Sequence, residues 1–441
     1  MKILYTLLFL LSFQTHTFAQ LDSSKLNQLF DTYNKYNKAM LTMGISEKGK
    51  MVYNKTIGYT DIEQKIKPSN NSMYHIGSVT KMFTSVIIFQ LIDEKKLMLN
   101  TKLSEFYPSI PNASKITISN LLNHRSGLFN FTSDTNFSTY METAMSEVAL
   151  LSIFEKFQPD FEPNTKSEYS NTNYVLLSFI IEKITKNKYE NELQKRICSK
   201  ISLKNTKVAT NDEKDKVLSY EFENNKWELS TSTHMSIPRG AGAIISTPND
   251  LCKFIEALFD HKLMSDSSFN QMKLIEDDHG RGIFKMPFGK KIGFGHTGSI
   301  DGFHSTLGYF PEDKMAFCIL GNAWNYPMND VAIAVLSIYF NKPFIIPSFE
   351  KKEMTTADRK LISGKYANSK ISMNINITKD KDNLLAQAEG QSAFQLEKVT
   401  ELEYKFEVAK IKLVFTKDDK GNFLQFTLHQ NGQELVFEKV E

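Results

Sequence analysis

The order of strand-like and helical segments constrains the fold of this chain more than any other feature of its sequence. Residues 40–59 contain two strand-like runs around a turn, and residues 303–320 contain two more. Between these pairs, apolar residues recur with a helical period, as in residues 82–92 and 176–184. We therefore predict an α/β (α+β) domain in which distant segments form one antiparallel sheet flanked by helices.

The C-terminal part of the chain has a different pattern. Composition changes at residues 343–347, and beyond them residues 371–377 alternate strictly between apolar and polar, as in a half-buried antiparallel strand. The length of 441 residues also exceeds the roughly 250 to 300 residues at which a single core stops growing. We predict a main domain at residues 20–345 and a small antiparallel β-barrel or curled meander at residues 350–441.

The N-terminus has the layout of a secretory signal peptide. Lys2 is followed by an apolar run at residues 3–13, and the small residue Ala19 precedes Gln20. The run is shorter than the about 20 residues needed to span a bilayer, and no second run of that length follows. We predict a signal peptide at residues 1–19, a secreted or periplasmic mature protein, and no integral membrane segment in the mature chain.

Charge and metal-binding residue types exclude several classes of function. The 53 Lys and Arg residues nearly balance the 50 Asp and Glu residues, and no long basic block occurs, so nucleic acid is not a predicted partner. The 3 cysteines are far apart without a CxxC pair, and the 9 histidines form no HExxH or HxH cluster. The sequence predicts neither a metal site nor a cofactor.

Ser78 and Lys81 form a Ser-x-x-Lys motif at the start of the predicted buried helix. Positions i and i+3 lie on one helix face, so the amine can reach the hydroxyl, and a nucleophile beside a base is what acyl transfer requires. The tetrapeptide alone is a weak signal, because residues 348–351 repeat it in the predicted linker. The first copy differs in its context, since it follows a glycine and opens a helix whose N-terminus favours developing negative charge.

Two further motifs follow in the same predicted domain. The run from Tyr169 to Asn171 precedes a helix, where taken alone it indicates a turn with an ordinary helix cap. The run from His296 to Ser299, His-Thr-Gly-Ser, lies in a strand-like segment rich in glycine. Glycine in a strand marks either a bulge or a close approach of the backbone to another group.

Together, in this order, the three motifs resemble the serine β-lactamase and penicillin-binding protein superfamily, in the branch that holds class C β-lactamases, D-alanyl-D-alanine carboxypeptidases, D-aminopeptidases and related esterases. Residues 116–128 look like the LLxHxSGL element of that branch, and residues 242–251 resemble its GGLxST element. The resemblance covers residues 25–340 and implies a β-lactamase/transpeptidase-like fold with a helical subdomain. The tail looks like the lipocalin-like domain that some members carry.

The resemblance implies a role for each motif residue. Ser78 would be acylated, with Lys81 and Tyr169 as its activators. An unperturbed Lys or Tyr side chain has a pKa near 10, so neither is a base at neutral pH unless the site changes it, and which of the two holds the proton is left open. Asn171 would orient Lys81 and bind the substrate amide, and the backbone N–H groups of Ser78 and Ser299 would form the oxyanion hole. His296, Thr297 and Gly298 would complete the substrate-binding side of the cleft.

One position departs from the β-lactamase pattern. A lysine normally stands where this sequence has His296, and a histidine is a weaker, pH-dependent cation. We expect this side chain to contact a substrate carboxylate or leaving group and to titrate between about pH 5 and 8. The substitution makes efficient β-lactamase activity doubtful.

The function that fits these residues is an extracytoplasmic serine hydrolase that cleaves an amide or ester through a Ser78 acyl-enzyme. Its substrate would be a small molecule or a peptidoglycan-like peptide, such as a D-amino-acid peptide or a small ester. A true β-lactamase is one alternative. A penicillin-binding receptor that stays acylated is another, and turnover separates it from the first two.

Overall fold

The computed structural model describes residues 21–211, 217–277, 279–350, 354–406, 409, 411–430 and 433–440. The predicted signal peptide, residues 1–19, lies outside them. Contacts divide the chain into two compact units, the first ending at Ile346 and the second spanning Pro347–Glu441. Each unit has its own hydrophobic core.

A mixed sheet forms the centre of the first unit. Its strands and those of a smaller sheet are β1 (Ala39–Glu47), β2 (Lys50–Ile57), β3 (Tyr74–His75), β4 (Lys207–Val208), β5 (Tyr220–Glu223), β6 (Lys226–Leu229), β7 (Ile244–Ser246), β8 (Phe284–Phe288), β9 (Lys291–Ile300), β10 (Phe303–Phe310) and β11 (Met315–Trp324). The main path runs β2-β1-β11-β10-β9-β8, with every neighbouring pair antiparallel. Strand β1 therefore lies beside β11, which confirms that distant segments build one sheet.

Helices cover this sheet and form a helical region beside it. They are α1 (Ser23–Lys35), α2 (Thr80–Asp93), α3 (Ile118–Leu122), α4 (Phe137–Tyr140), α5 (Glu147–Phe154), α6 (Asn171–Thr185), α7 (Tyr189–Leu193), α8 (Arg239–Gly242), α9 (Pro248–Phe259), α10 (Asp266–Lys273) and α11 (Met328–Tyr339). A π-helical turn, Gln194–Cys198, follows α7, and 3-10 turns lie at Gly77–Val79, Leu103–Glu105 and Phe131–Ser133. No helix of the described residues is long and apolar enough to cross a membrane.

Helix α2 is the structural centre of the first unit. Its residues are buried on every side from Thr80 to Leu91, the pattern of a core helix rather than a surface helix. It packs against α6, α8 and α10, and the Phe83 ring stacks on that of Phe254 in α9 with 3.7 Å between centroids. The first turn of α2 is therefore held rigidly from all sides.

The second unit is a closed antiparallel barrel. Its elements are α12 (Thr356–Ile362), β12 (Gly364–Asn368), β13 (Met373–Asp380), β14 (Asn383–Ala388), β15 (Phe394–Lys398), β16 (Glu403–Phe406), β17 (Ile411–Lys417), β18 (Phe423–Gln430) and β19 (Gln433–Lys439). Pairing of β12 with β19 closes the circle. Aromatic side chains such as Tyr366, Phe415 and Phe426 fill the interior. The predicted fold class, including a C-terminal barrel, is confirmed.

Candidate active site

Ser78 lies in a tight turn between β3 and α2. The preceding residue, Gly77, has a left-handed backbone with φ of 48°, and a Cβ atom there would come within 2.8 Å of the Ser299 nitrogen. Only glycine meets both conditions without strain, so the chain can bring β9 against this turn. Ser78 itself is half-buried, directly before the first turn of α2.

Lys81 is fully buried, and its amine has three hydrogen-bond partners. The Nζ atom lies 3.0 Å from the Ser78 Oγ, 2.7 Å from the Asn171 Oδ1 and 2.8 Å from the carbonyl oxygen of Ala241. Burial lowers the pKa of the Lys81 amine well below its usual value. A neutral amine is the form that this environment favours.

The two acceptors beside Lys81 determine which way a neutral amine points. The Asn171 Oδ1 and the Ala241 carbonyl can only accept hydrogen bonds, so they take the two N–H groups of the amine. The remaining lone pair then faces the Ser78 hydroxyl. Asn171 is fixed in this orientation because its Nδ2 donates to the Thr132 Oγ1 at 3.0 Å. The geometry is that of a general base aimed at a nucleophile.

Tyr169 completes the contact with the nucleophile. Its phenol donates a hydrogen bond to the Ser78 Oγ at 2.7 Å, and the Lys81 Nζ lies 4.8 Å from the centre of its ring. Burial raises the pKa of the Tyr169 phenol above its usual value. The sequence left the location of the proton open, and the structure favours a protonated Tyr169 beside a neutral Lys81.

The Tyr169 ring is supported from behind by His124, which was not among the predicted site residues. His124 stacks on it with 4.4 Å between ring centroids and 29° between planes. The His124 Nδ1 accepts the backbone N–H of Ser170 at 3.1 Å, which fixes the residue after Tyr169. Burial lowers the pKa of His124 well below its usual value. His124 is the histidine of the LLxHxSGL-like element, so that motif was the sequence signal that could have pointed to this contact.

Strand β9 forms the opposite side of the site. A Cβ atom on Gly298 would lie 2.1 Å from the carbonyl oxygen of Ile76 and 2.9 Å from the Ser78 nitrogen. The register between β9 and β10 runs without a shift through these residues. The glycine therefore marks a close backbone approach and not a bulge. Thr297 and Ser299 are exposed on the other face of the strand.

His296 differs from the expectation that it would be a titrating cation. Its side chain is 2 % exposed, and its Nδ1 carries the proton because its partner is the carbonyl oxygen of Thr297. The Nε2 is buried with no hydrogen-bond partner among the described residues. Burial lowers the pKa of His296 to about 3. The side chain is therefore neutral between pH 5 and 8, because water cannot solvate a charged imidazolium at this buried position.

A cavity of about 230 Å³ opens beside Ser78. Its polar lining comprises Ser78, Thr132, Asn171, Thr231, Thr233, Ser299 and Asp301. Ser78, Asn171 and Ser299 were predicted as site residues. Thr132, Thr231 and Thr233 were not, since residues 130–165 and 200–240 offered no readable pattern, and Asp301 was not, although it directly follows β9. Among the described residues, no group of three or more His, Cys, Asp or Glu side chains could hold a metal ion.

Comparison with known proteins agrees with this geometry. A sequence profile described as Beta-lactamase matches residues 26–338. The chain belongs to the Beta-lactamase family. The resemblance seen in its motifs is confirmed, and the chain is a serine hydrolase.

The sequence of this chain is similar to those of two bacterial proteins. It is 26% identical to the teichoic acid D-alanine hydrolase of Staphylococcus aureus over 295 residues, which covers 63% of this chain and 72% of the relative. It is 23% identical to a penicillin-binding protein of Bacillus subtilis, over 93% of this chain and 97% of that protein.

Solved structures show the same fold. The D-amino acid amidase of Ochrobactrum anthropi SV3 superposes with a TM-score of 0.66 at 23% identity, over 72% of this chain and 99% of the amidase. The octameric penicillin-binding protein homologue of Pyrococcus abyssi superposes with a TM-score of 0.67 at 22% identity, over 94% of this chain and 99% of that chain.

Proposed function

We propose that this Beta-lactamase-family hydrolase cleaves D-amino-acid amides, peptides or esters through an acyl-enzyme on Ser78, outside the cytoplasm. The observation that carries the proposal is the position of the Ser78 Oγ, which lies within hydrogen-bond distance of both the Lys81 amine and the Tyr169 phenol. Burial pushes the pKa values of these two groups in opposite directions, and such a separation assigns a base and an acid.

In acylation, the Lys81 lone pair takes the Ser78 proton while Oγ forms a bond to the substrate carbonyl carbon. The resulting oxyanion would accept hydrogen bonds from the backbone N–H groups of Ser78 and Ser299, which the close approach of Gly298 brings together. Collapse breaks the scissile bond, and the leaving nitrogen or oxygen takes a proton from the Lys81 and Tyr169 pair.

In deacylation, the same pair works in the opposite direction. Water gives a proton to the pair and adds to the Ser78 ester, and the Ser78 oxygen leaves with a proton. No third activating group is required for the second step. Because the same two residues can serve both steps, the site favours a hydrolase that turns over rather than a receptor that stays acylated.

The substrate class is supported by the relatives and by His296. Two of the similar proteins are named for D-alanine and D-amino acid substrates. The neutral, buried His296 replaces the lysine of β-lactamases, so the cleft lacks the cation that would bind the carboxylate of a β-lactam there. The predicted signal peptide at residues 1–19 supports the location outside the cytoplasm.

The test is steady-state hydrolysis of the p-nitrophenyl esters of D-alanine and L-alanine and of benzylpenicillin. The wild type should turn over the D-alanine ester best and the penicillin worst. Ser78→Ala should lose turnover, while Ser348→Ala, the serine of the second Ser-x-x-Lys, should match the wild type. Efficient penicillin hydrolysis would favour the β-lactamase alternative, and full activity in Ser78→Ala would refute the proposal.

A further inference from the structure

We infer that Thr132 is a positioning residue for the general base: its hydroxyl holds the Asn171 amide in the orientation on which the direction of the Lys81 lone pair depends. This role rests on the proposed function, because it concerns the step in which Lys81 takes the Ser78 proton. It deepens that function by including a residue that lies outside the three sequence motifs.

The direction of the Lys81 lone pair depends on which end of a side-chain amide faces the amine. An amide presents an acceptor at one end and a donor at the other, and its two orientations occupy the same space. With the Asn171 Oδ1 at 2.7 Å from the Lys81 Nζ, the amine donates, and its lone pair stays available for Ser78. With the Nδ2 there instead, the lone pair would accept an amide N–H, and Lys81 could not take the Ser78 proton.

A backbone N–H determines the orientation of this amide. The backbone N–H of Asn171 can only donate, and it donates to the Asn130 Oδ1 at 2.9 Å. The Thr132 hydroxyl lies 3.0 Å from the same oxygen and gives its single proton to it. The Thr132 Oγ1 is then an acceptor, and it takes an N–H of the Asn171 Nδ2 at 3.0 Å. The direction of one backbone group thus fixes, through two side chains, which end of the Asn171 amide faces Lys81.

The segment that carries Thr132 is fixed to the helix that begins with Asn171. Phe131, the residue before Thr132, is buried, and its backbone N–H donates to the Thr172 hydroxyl oxygen at 3.2 Å. The Thr172 hydroxyl donates in turn to the carbonyl oxygen of Phe129 at 2.6 Å. These hydrogen bonds join the segment to the first turn of α6, so the distance between Thr132 and the Asn171 amide is set by the fold.

Replacement of the Thr132 hydroxyl by a methyl group changes the balance between the two orientations. In Thr132→Val, the orientation that activates Lys81 leaves the Asn171 Nδ2 without its acceptor, and the resting enzyme avoids this by turning the amide. The transition state cannot turn it, because the ammonium that forms on Lys81 needs the Asn171 Oδ1 as an acceptor. We therefore expect kcat/KM to fall about 5- to 100-fold, the usual effect when a donor inside a protein loses its acceptor.

The experiment measures two rates, kcat/KM for the D-alanine p-nitrophenyl ester and the rate at which a fluorophosphonate labels Ser78. In labelling, the Ser78 oxygen forms a bond to phosphorus, fluoride leaves and Lys81 takes the proton, so the base is tested without a particular substrate. Both rates should fall in Thr132→Val and recover in Thr132→Ser, which keeps the hydroxyl. Thr139→Val removes the hydroxyl of an exposed threonine in α4 and, as the matched control, should leave both rates unchanged.

A double variant separates this role from a general effect on the fold. If Thr132 acts through the Asn171 amide, Thr132→Val should cause no further loss of the labelling rate in a protein that already carries Asn171→Ala. Thermal unfolding followed by circular dichroism checks that each variant is folded. If the valine variant does not fold, Thr132→Ala removes the same hydroxyl and takes its place.

Three results would overturn the inference about Thr132. They are unchanged rates in Thr132→Val, equal losses in the valine and serine variants, and an undiminished loss in the Asn171→Ala background. If the probe labels the wild type but the ester is not turned over, the proposed substrate class is wrong, and the labelling rates alone decide the role of Thr132. Absence of both labelling and turnover in the wild type would refute the proposed function and the inference together.

Discussion

At the scale of single residues, burial makes the chemistry of the site possible. Ser, Lys and Tyr side chains are poor nucleophiles or bases at neutral pH in water. Enclosure within the fold lowers the pKa of Lys81 and raises that of Tyr169, so a neutral amine and a protonated phenol meet at the same hydroxyl. The sequence predicted the three residues but not the location of the proton, because desolvation depends on packing from distant segments.

Tyr169→Phe tests the role of the phenol. The change removes the hydrogen bond to the Ser78 Oγ and the proton that this oxygen needs when the acyl-enzyme breaks down. We expect deacylation to slow by about 100-fold or more, the usual contribution of a positioned general acid. Rapid-quench mass spectrometry should then show a long-lived adduct. An unchanged lifetime of the adduct would exclude Tyr169 from deacylation.

His296 provides a prediction about pH. Its pKa is about 3 in the folded protein and about 6.5 in the unfolded chain, so below pH 6.5 the unfolded chain binds a proton that the folded protein does not bind. Stability is therefore lost as the pH falls through this window, by up to about 3 kcal/mol between pH 7 and 4. His296→Gln has no imidazole to titrate, so this contribution to the loss of stability at low pH should disappear.

Urea unfolding of both proteins at pH 4, 7 and 9 measures this difference. Between pH 7 and 9 the imidazole is neutral in both the folded and the unfolded state. The free energies of unfolding of the two proteins should therefore change in parallel there, which is the internal control. The rate profile between pH 5 and 8 should be unaffected by the substitution. If the wild-type rate changes with pH in that range and the change is absent in His296→Gln, then His296 titrates there as the sequence predicted.

At the scale of elements, the site depends on how closely β9 approaches the turn before α2. Local patterns predicted both elements, since the helical period began at Lys81 and the glycine-rich run marked a strand. The same patterns gave no role to Ala241, because it acts through its backbone carbonyl, and only tertiary packing brings that carbonyl to the Lys81 amine.

Gly298→Ala tests the close approach of the two elements. The added methyl would meet the Ile76 carbonyl, which is backbone and cannot move aside alone, so β9 must shift away from Ser78. We expect kcat to fall at least about 100-fold, as on loss of one oxyanion donor. Gly44→Ala in β1 is the matched control, because its methyl would first meet the flexible end of Met51. Equal kcat in both variants would show that this approach does not form the oxyanion hole.

At the scale of the whole molecule, the chain combines a hydrolase unit and a barrel. Strict alternation at residues 371–377 was enough to predict barrel strands, and β13 lies at Met373–Asp380. The sequence predicted a small barrel or curled meander but not its eight strands, because β-strand partners in a barrel are set by the packed interior rather than by local pattern. Every residue assigned to the catalytic site lies in the first unit.

Removal of residues 347–441 tests whether the hydrolase unit is independent. The two units have separate hydrophobic cores, so the shortened protein should fold and hydrolyse small esters with unchanged kcat/KM. Circular dichroism and ester turnover measure the two outcomes separately. A folded but inactive protein would show that the barrel contributes to catalysis on small substrates.

All the roles assigned in the site depend on acylation of Ser78. Intact and peptide mass spectrometry after rapid quenching detects this acylation in Tyr169→Phe treated with the D-alanine p-nitrophenyl ester, beside the double variant Tyr169→Phe/Ser78→Ala. We predict one alanyl group on Ser78 in the single variant and none in the double variant. An alanyl group on another residue, or an equal adduct in the double variant, would contradict the assignment of Ser78 as the nucleophile.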